Sequence, residues 1–350
     1  MKVIDIFSGA GGLSVGFEQV GFTTVLAIDK WEDAIRTFNA NHKYSVGTTR
    51  DIHEFTNRDI EKYASNDITG IIGGPPCQGF SLVGTRDTND PRNSLYIEYV
   101  RFVNQVRPKF FVLENVSGLI SLEKGKFKED IIKRFTELGY NVDFKLLTAS
   151  DYGVPQSRKR VFFVGLRKDI FGDRFFDFNN LVKRDMVSTK DAISDLPKAV
   201  NHKEPINYEN QYENEFQKQM RKDSVQIYNH EITNHTKQTI DIISLVPDGG
   251  GIKDLDESFY KVRNYNNAFK RMNSKLPSST IDCGHRNYFH YKENRVPTVR
   301  ESARIQSFPD KYEFKGSKTS QYTQVGNAVP PLLAKTIAKE LKRELQKIIE

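Results

Sequence analysis

Short apolar runs alternate with helix-spaced stretches along the first 165 residues, and this rhythm restricts the fold more than any other property of the chain. Val3 to Phe7 is apolar but for Asp5 and ends in Ser8-Gly9-Ala10-Gly11-Gly12. Leu13, Phe17 and Val20 then recur three or four apart, the spacing of one helix face, and Gly21 stops that helix. Val25 to Ile28 predicts a second strand ending at Asp29. Ile68 to Ile72, Phe110 to Leu113 and Val161 to Val164 predict further buried strands. Helical spacing fills Leu95 to Val106 and Phe127 to Leu138, the latter closed by Gly139. Such alternation predicts an α/β domain, a mostly parallel sheet with helices on both faces.

After residue 165 the rhythm stops. Residues 166–295 are richer in Asn, Gln, Tyr, Lys and turns, with a loop at Asp248-Gly249-Gly250-Gly251, and predict a second, smaller and less regular domain. Helical periodicity returns from Leu332 to Ile349, inside a third segment, 296–350. With 37% hydrophobic and 28% charged residues, a chain of 350 residues can bury a core. It has no uninterrupted apolar run of membrane-spanning length, and an acid at Asp5 comes too early for a secretory leader. Two cysteines, Cys77 and Cys283, exclude a disulfide-stapled scaffold. A cytoplasmic location is expected.

The formal charge is +7, and the whole excess lies between Ser258 and Arg304. That window holds ten bases (Lys261, Arg263, Lys270, Arg271, Lys275, Arg286, Lys292, Arg295, Arg300 and Arg304) against three acids, while the rest of the chain carries 42 of each. Such a stretch suits a polyanionic partner, the ordinary alternative being a solvated basic face.

In a doubly wound sheet, ligands sit at the carboxyl ends of the strands. The glycine-rich turn after the first predicted strand is in that place, and glycines let a backbone approach a nucleoside closely. Ser14 stands where the dinucleotide fingerprint has its third glycine. Asp29, at the next strand end, is placed to accept from ribose hydroxyls, and Asp51 from an adenine amino group. The segment Gly73-Gly74-Pro75-Pro76-Cys77-Gln78-Gly79-Phe80-Ser81 presents a thiol on a proline-stiffened loop rather than within an apolar run, as a reactive cysteine requires. Glu114 ends a buried strand, where a carboxyl can serve as proton donor or simply cap the next segment. Arg158 and Arg160, two apart in an extended chain, face the same way and could reach one anionic or carbonyl-rich ligand. Cys283 reads as an inert thiol. A metal set of Cys283, His285 and His290 lacks a fourth ligand, so no metal is expected.

Taken in order, six segments resemble the DNA (cytosine-5) methyltransferases of prokaryotic restriction-modification systems. They are Asp5-Ile6-Phe7-Ser8-Gly9-Ala10-Gly11-Gly12-Leu13, Pro75-Pro76-Cys77-Gln78, Glu114-Asn115-Val116, Gln156-Ser157-Arg158-Lys159-Arg160, the run Arg300 to Pro309, and Gln324 to Pro331. The resemblance implies a Rossmann-like S-adenosylmethionine-dependent methyltransferase sheet over 1–165, completed by 296–350, with a target-recognition domain in 166–295. It implies a cofactor pocket of Phe7, Gly9, Gly11, Gly12, Leu13, Asp29, Asp51, Ile52, Pro76, Leu95, Asn327 and Val329. Lys30 departs from the larger apolar or aromatic residue that many relatives stack on adenine; only its stem could lie along the ring.

By the same resemblance, Cys77 adds to ring carbon 6 of a flipped-out cytosine, and Glu114 hydrogen-bonds or protonates ring nitrogen 3. Arg158 holds the carbonyl oxygen, with Arg160 as the second candidate. Gln78, Ser81 and Arg92 are expected to contact DNA from the loop after the nucleophile. Lys261, Arg263, Lys270, Arg271, Arg286 and Arg295 are expected to contact phosphates and bases, and Thr280-Ile281 resembles a recurring Thr-plus-apolar pair of the recognition domain. The implied partners are double-stranded DNA and a cognate restriction endonuclease, with the enzyme a monomer. A tRNA cytosine-5 methyltransferase and a catalytically silent DNA-binding regulator remain as alternatives. A nicotinamide oxidoreductase explains nothing after Gly12.

Overall fold

The structure, a computed structural model, describes residues 1–64, 67–76, 94–259, 269–283 and 288–348. Cys77, Gln78, Ser81, Arg92, Lys261, Arg263 and Arg286 lie outside the described residues. The chain divides into two compact units. The first comprises Met1–Thr148, Lys159–Val182 and Leu333–Glu350; the second comprises Ala149–Arg158 and Lys183–Leu332. Compactness therefore divides the chain at other points than the functional borders expected at 165 and 295.

The first unit is built on a seven-stranded sheet: β1 (Lys2–Ile6), β2 (Thr23–Asp29), β3 (Gly47–Thr49), β4 (Ile68–Gly73), β5 (Phe110–Val116), β6 (Tyr140–Thr148) and β7 (Lys159–Arg167), in the order β3-β2-β1-β4-β5-β7-β6. The ladders from β3 to β5 are parallel, and β7 runs antiparallel to both of its neighbours. The expected mostly parallel sheet is thus present. Its helices are α1 (Gly12–Glu18), α2 (Glu32–Asn41), α3 (Asn57–Ala64), α4 (Ser94–Val106), α5 (Lys126–Glu137), α6 (Lys168–Phe171) and, largely, α12 (Pro331–Gln346). Alternation in the strands sends Ile4, Ile6, Leu26, Ile28, Ile71, Phe111 and Leu113 into one apolar cluster with Ile60, Tyr99, Phe102 and Phe135 from α3, α4 and α5. Phe110 is on the other face, stacked near Phe17 of α1 at 6.3 Å. There, α12 closes on α1 through Lys342 Nζ, which donates to the Val20 carbonyl at 2.9 Å.

The second unit has short elements: α7 (Thr189–Ile193), α8 (Glu215–Arg221), α9 (Lys237–Leu245), a two-residue ladder of β8 (Lys270–Arg271) with β9 (Tyr288–Phe289), α10 (Val299–Ile305) and α11 (Lys318–Asn327). A small cluster of Ile243, Val246, Phe269, Phe289 and Val296 supplies one apolar centre. Buried charge supplies much of the rest, as described below.

Candidate active site

Strand order reverses at β1, with β2 and β3 on one side and β4 and β5 on the other. That is the switch point at which open α/β sheets bind ligands. The carboxyl ends of the five parallel strands gather the residues the sequence singled out. The glycine turn follows β1, Asp29 ends β2, Asp51 follows β3, Gly74 to Pro76 follow β4, and Glu114 lies in the last turn of β5.

The turn after β1 is bent sharply, with positive φ at Phe7 (61°), Gly9 (52°) and Gly11 (84°). For a bulky aromatic such as Phe7 this conformation is strained, and strain of this kind gathers at functional sites. Asp29 ties the turn to β2: its Oδ2 accepts from the Gly9 N–H at 2.9 Å and its Oδ1 from the Trp31 N–H at 2.9 Å. Burial pushes the Asp29 carboxyl above the ordinary range, and these two N–H donors oppose the rise. A Cβ placed on Gly9 would meet none of the described residues within 4 Å, which leaves the backbone room for a ligand to approach. A glycine turn with open space beside a hydrogen-bonding carboxylate fits a nucleoside-bearing cofactor. Ile52 is buried in the apolar cluster, with Phe7 and Leu95 packed against it, and Leu13 is buried at the start of α1. Asp51 caps a helical turn through the His53 N–H at 3.0 Å, which lowers its pKa. Lys30 is exposed, and its charge favours the ionised forms of Asp29 and Asp51. Pro76 is exposed.

Sequence reasoning passed over two residues here. Trp31, two places after the acid, is half-buried and caps α2; an aromatic so close to the strand end was the available signal. Asp5 is fully buried on β1 and accepts from Ser14 Oγ at 2.6 Å, which explains why serine stands at the third-glycine position. Burial is the main cause raising the Asp5 carboxyl from 3.8 to about 7. The folded state therefore holds this proton more tightly than the unfolded chain. Stability from the group is complete below its unfolded pKa and is lost as pH rises to about 7. Asp5→Asn should flatten the fall of the thermal midpoint between pH 5 and 8, raising it by about a few degrees at pH 8. Parallel parent and mutant curves in scanning fluorimetry would show that Asp5 carries no such load.

At the other side of the switch point, Arg160 Nε lies 3.0 Å from Glu114 Oε1, with both side chains largely buried. Gly74 lies against the same carboxylate: a Cβ there would sit 2.8 Å from Glu114 Oε2, so a larger residue would displace that side chain. Asn115 Nδ2 donates to the Pro75 carbonyl at 2.8 Å. Arg158 bonds elsewhere as well. Arg158, only 1% exposed, points Nη1 at the Ile281 carbonyl (3.3 Å) and Nη2 at the Asn327 carbonyl (3.5 Å) within the second unit. Asn327 itself is exposed at the end of α11, with Cys283 Sγ 2.7 Å from its Oδ1, and Val329 is buried.

The basic stretch is less available than its charge suggests. Arg271 is buried, and its guanidinium donates to the carbonyls of Ile243, Val246, His290 and Glu293. It pins the end of α9 to the segment after β9, which occupies the donors that base reading would need. Arg295 forms a two-pronged pair with Glu301 at 2.7 and 2.8 Å. Arg300 donates to the carbonyls of Tyr228, Pro309 and Tyr312, and Arg304 lies between Asp195 and Asp310. Arg271 and Arg295, both expected to contact DNA, have their heads tied internally here. Lys270 is exposed and Thr280 half-buried.

Comparison with known proteins agrees with this layout. The family model of C-5 cytosine-specific DNA methylases matches residues 1–343. The Type II methyltransferase M.DdeI of Desulfomicrobium norvegicum is 40% identical over 97% of this chain and 88% of its own. The Type II methyltransferase M1.HphI of Haemophilus parahaemolyticus is 39% identical over 97% and 86%. Among solved structures, a prophage-encoded E. coli protein described as a DNA modification methyltransferase superposes with a TM-score of 0.83 at 28% identity, covering 99% of each chain. On the family match over residues 1–343 and these relatives, the chain belongs to the C-5 cytosine-specific DNA methylases, enzymes that methylate cytosine in DNA with S-adenosylmethionine.

Proposed function

We propose that the chain methylates carbon 5 of one cytosine in a short specific sequence of double-stranded DNA, through a covalent Cys77 adduct. The observation that carries this reading is the Glu114–Arg160 pair beside Gly74 and Pro75, just before the thiol in sequence. Carbon 5 of cytosine is a poor nucleophile and is stacked in the duplex, so the base must leave the stack at a cost of about a few kcal/mol. The Cys77 thiolate forms a bond to carbon 6, and the electron pair of the 5,6 double bond moves toward carbon 5. Glu114 hydrogen-bonds or protonates ring nitrogen 3, which draws charge off the ring. Arg160 takes the ring carbonyl oxygen in place of Arg158, because its head lies on Glu114 while that of Arg158 is buried among carbonyls. Bound S-adenosylmethionine would supply the methyl group that carbon 5 receives, the broken S–CH3 bond leaving its electron pair on sulfur as S-adenosylhomocysteine. Loss of the carbon 5 proton to a base and expulsion of Cys77 then restore the aromatic ring.

Gly9, Gly11, Gly12 and Asp29 would hold the cofactor's nucleoside, with Phe7, Leu13, Asp51, Ile52, Pro76, Leu95, Asn327 and Val329 completing the set by resemblance. The relatives' Type II description supports a role protecting DNA against a cognate endonuclease. A monomeric enzyme acting in the cytoplasm, at the nucleoid, is part of the same proposal. A duplex whose target cytosine carries fluorine at carbon 5 tests the chemistry. Fluorine cannot leave as a cation, so a denaturation-resistant protein–DNA complex should accumulate to about one per active enzyme. Bisulfite sequencing of DNA treated with the parent enzyme identifies the site; an absent complex together with unmodified cytosine would overturn the reading.

A further inference from the structure

Glu114 and Asn115 are neighbours at the end of β5, yet their side chains serve different partners. Glu114 meets Arg160 of β7, whereas Asn115, 5% exposed, donates its amide N–H to the Pro75 carbonyl at 2.8 Å. Its own Oδ1 accepts from the Val116 N–H at 2.9 Å, which fixes which end of the amide faces Pro75. The strand register explains the reach: β4 and β5 are parallel with Gly73 opposite Leu113, so the chain leaving β4 runs beside Glu114 and Asn115. Pro75 is buried and lies two residues before Cys77, with Pro76 between them. Two successive prolines leave little freedom in φ, so fixing the Pro75 carbonyl constrains the direction in which the chain departs.

We infer that Asn115 is a positioning residue for the nucleophile, its amide holding the Pro75 carbonyl so that the loop start is set in register with Glu114. This rests on the reading of Cys77 as nucleophile. One short dipeptide then performs two tasks, Glu114 addressing the base and Asn115 addressing the backbone that carries the thiol. Without this donor the Pro75 carbonyl is less firmly held, and the direction of the chain beyond it is less constrained.

Asn115→Ala removes the donor, and Asn115→Asp replaces it with a carboxyl that repels the carbonyl when ionised and can donate when protonated. The neighbouring Glu114 carboxylate favours the protonated form and the Arg160 cation opposes it. Rates of adduct formation with the fluorinated duplex and turnover on the ordinary duplex should fall at least tenfold in Asn115→Ala. The KM for S-adenosylmethionine and the affinity for S-adenosylhomocysteine without DNA should stay within about twofold. Asn115→Asp should be no faster than Asn115→Ala at pH 8.5, where the carboxylate repels the carbonyl. If the parent forms the adduct and Asn115→Ala does so within twofold of its rate, or if Asn115→Asp at pH 8.5 reacts as fast as the parent, the inference is overturned. A parent that forms no adduct overturns the reading of Cys77 and this inference together.

Discussion

Cys77→Ser is expected to lower methyl transfer at least about a thousandfold while S-adenosylhomocysteine binding stays within about twofold of the parent. A serine hydroxyl has nearly the same shape as the thiol but ionises far less readily, so at neutral pH almost none of it is available to attack carbon 6. The cofactor-side residues would be unaffected, since the glycine turn, Asp29 and Ile52 gather at the ends of β1, β2 and β3. The same mutant should form no adduct with the fluorinated duplex. Radiolabelled methyl incorporation checks the rate, and calorimetry checks the binding. Turnover within tenfold of the parent would remove Cys77 from the mechanism, and loss of binding with turnover would mark the change as structural. Cys283 supplies the control. It is exposed, so Cys283→Ser should leave adduct formation intact.

How far the sequence revealed this fold depended on burial. Strands covered on both faces appear as continuous apolar runs, and Ile68–Gly73 and Phe110–Val116 lie where those runs predicted them. Strand β6 went unseen because it is an edge strand in which Asn141, Asp143 and Lys145 interrupt the apolar pattern. Helix α3 went unseen for a similar reason, with Ile60 its one buried residue. In the site, the glycine turn, Asp29 and Glu114 were legible because a strand end followed by a turn has few purposes for such residues. The arginines were not. Arg158 and Arg160 share a motif and a charge, and only the partners of each separate a head paired with Glu114 from a brace among carbonyls. A charge count over Ser258 to Arg304 has the same weakness, since it cannot distinguish a solvated cation from one enclosed by the fold.

Arg304 gives that distinction its largest consequence. Its Nη1 donates to Asp195 Oδ1 at 2.8 Å and its Nη2 to Asp310 Oδ2 at 2.6 Å, and all three side chains are fully buried. Tyr208 donates to the same Asp310 oxygen at 2.6 Å, and Arg221 reaches Asp195 at 3.3 Å. Arg304→Ala would leave two buried carboxylates with the Tyr208 hydroxyl, the Arg221 guanidinium at 3.3 Å and the nearby Arg300 charge as partial compensation. Breaking a buried pair from one side costs about 3–5 kcal/mol, because the remaining charge is uncompensated. The urea midpoint should fall accordingly, and Arg304→Lys, which keeps the charge but not the fork, should recover only part of it. Lys270→Ala, on an exposed side chain of the same basic stretch, should change stability by no more than about 0.5 kcal/mol. If Lys270 faces phosphate, its loss should instead lower the salt slope of DNA binding by about 1. An Arg304→Ala protein with the parent's urea midpoint and a reduced salt slope would place this arginine among the DNA-facing residues; the opposite pair of results confirms that its charge is spent inside the fold.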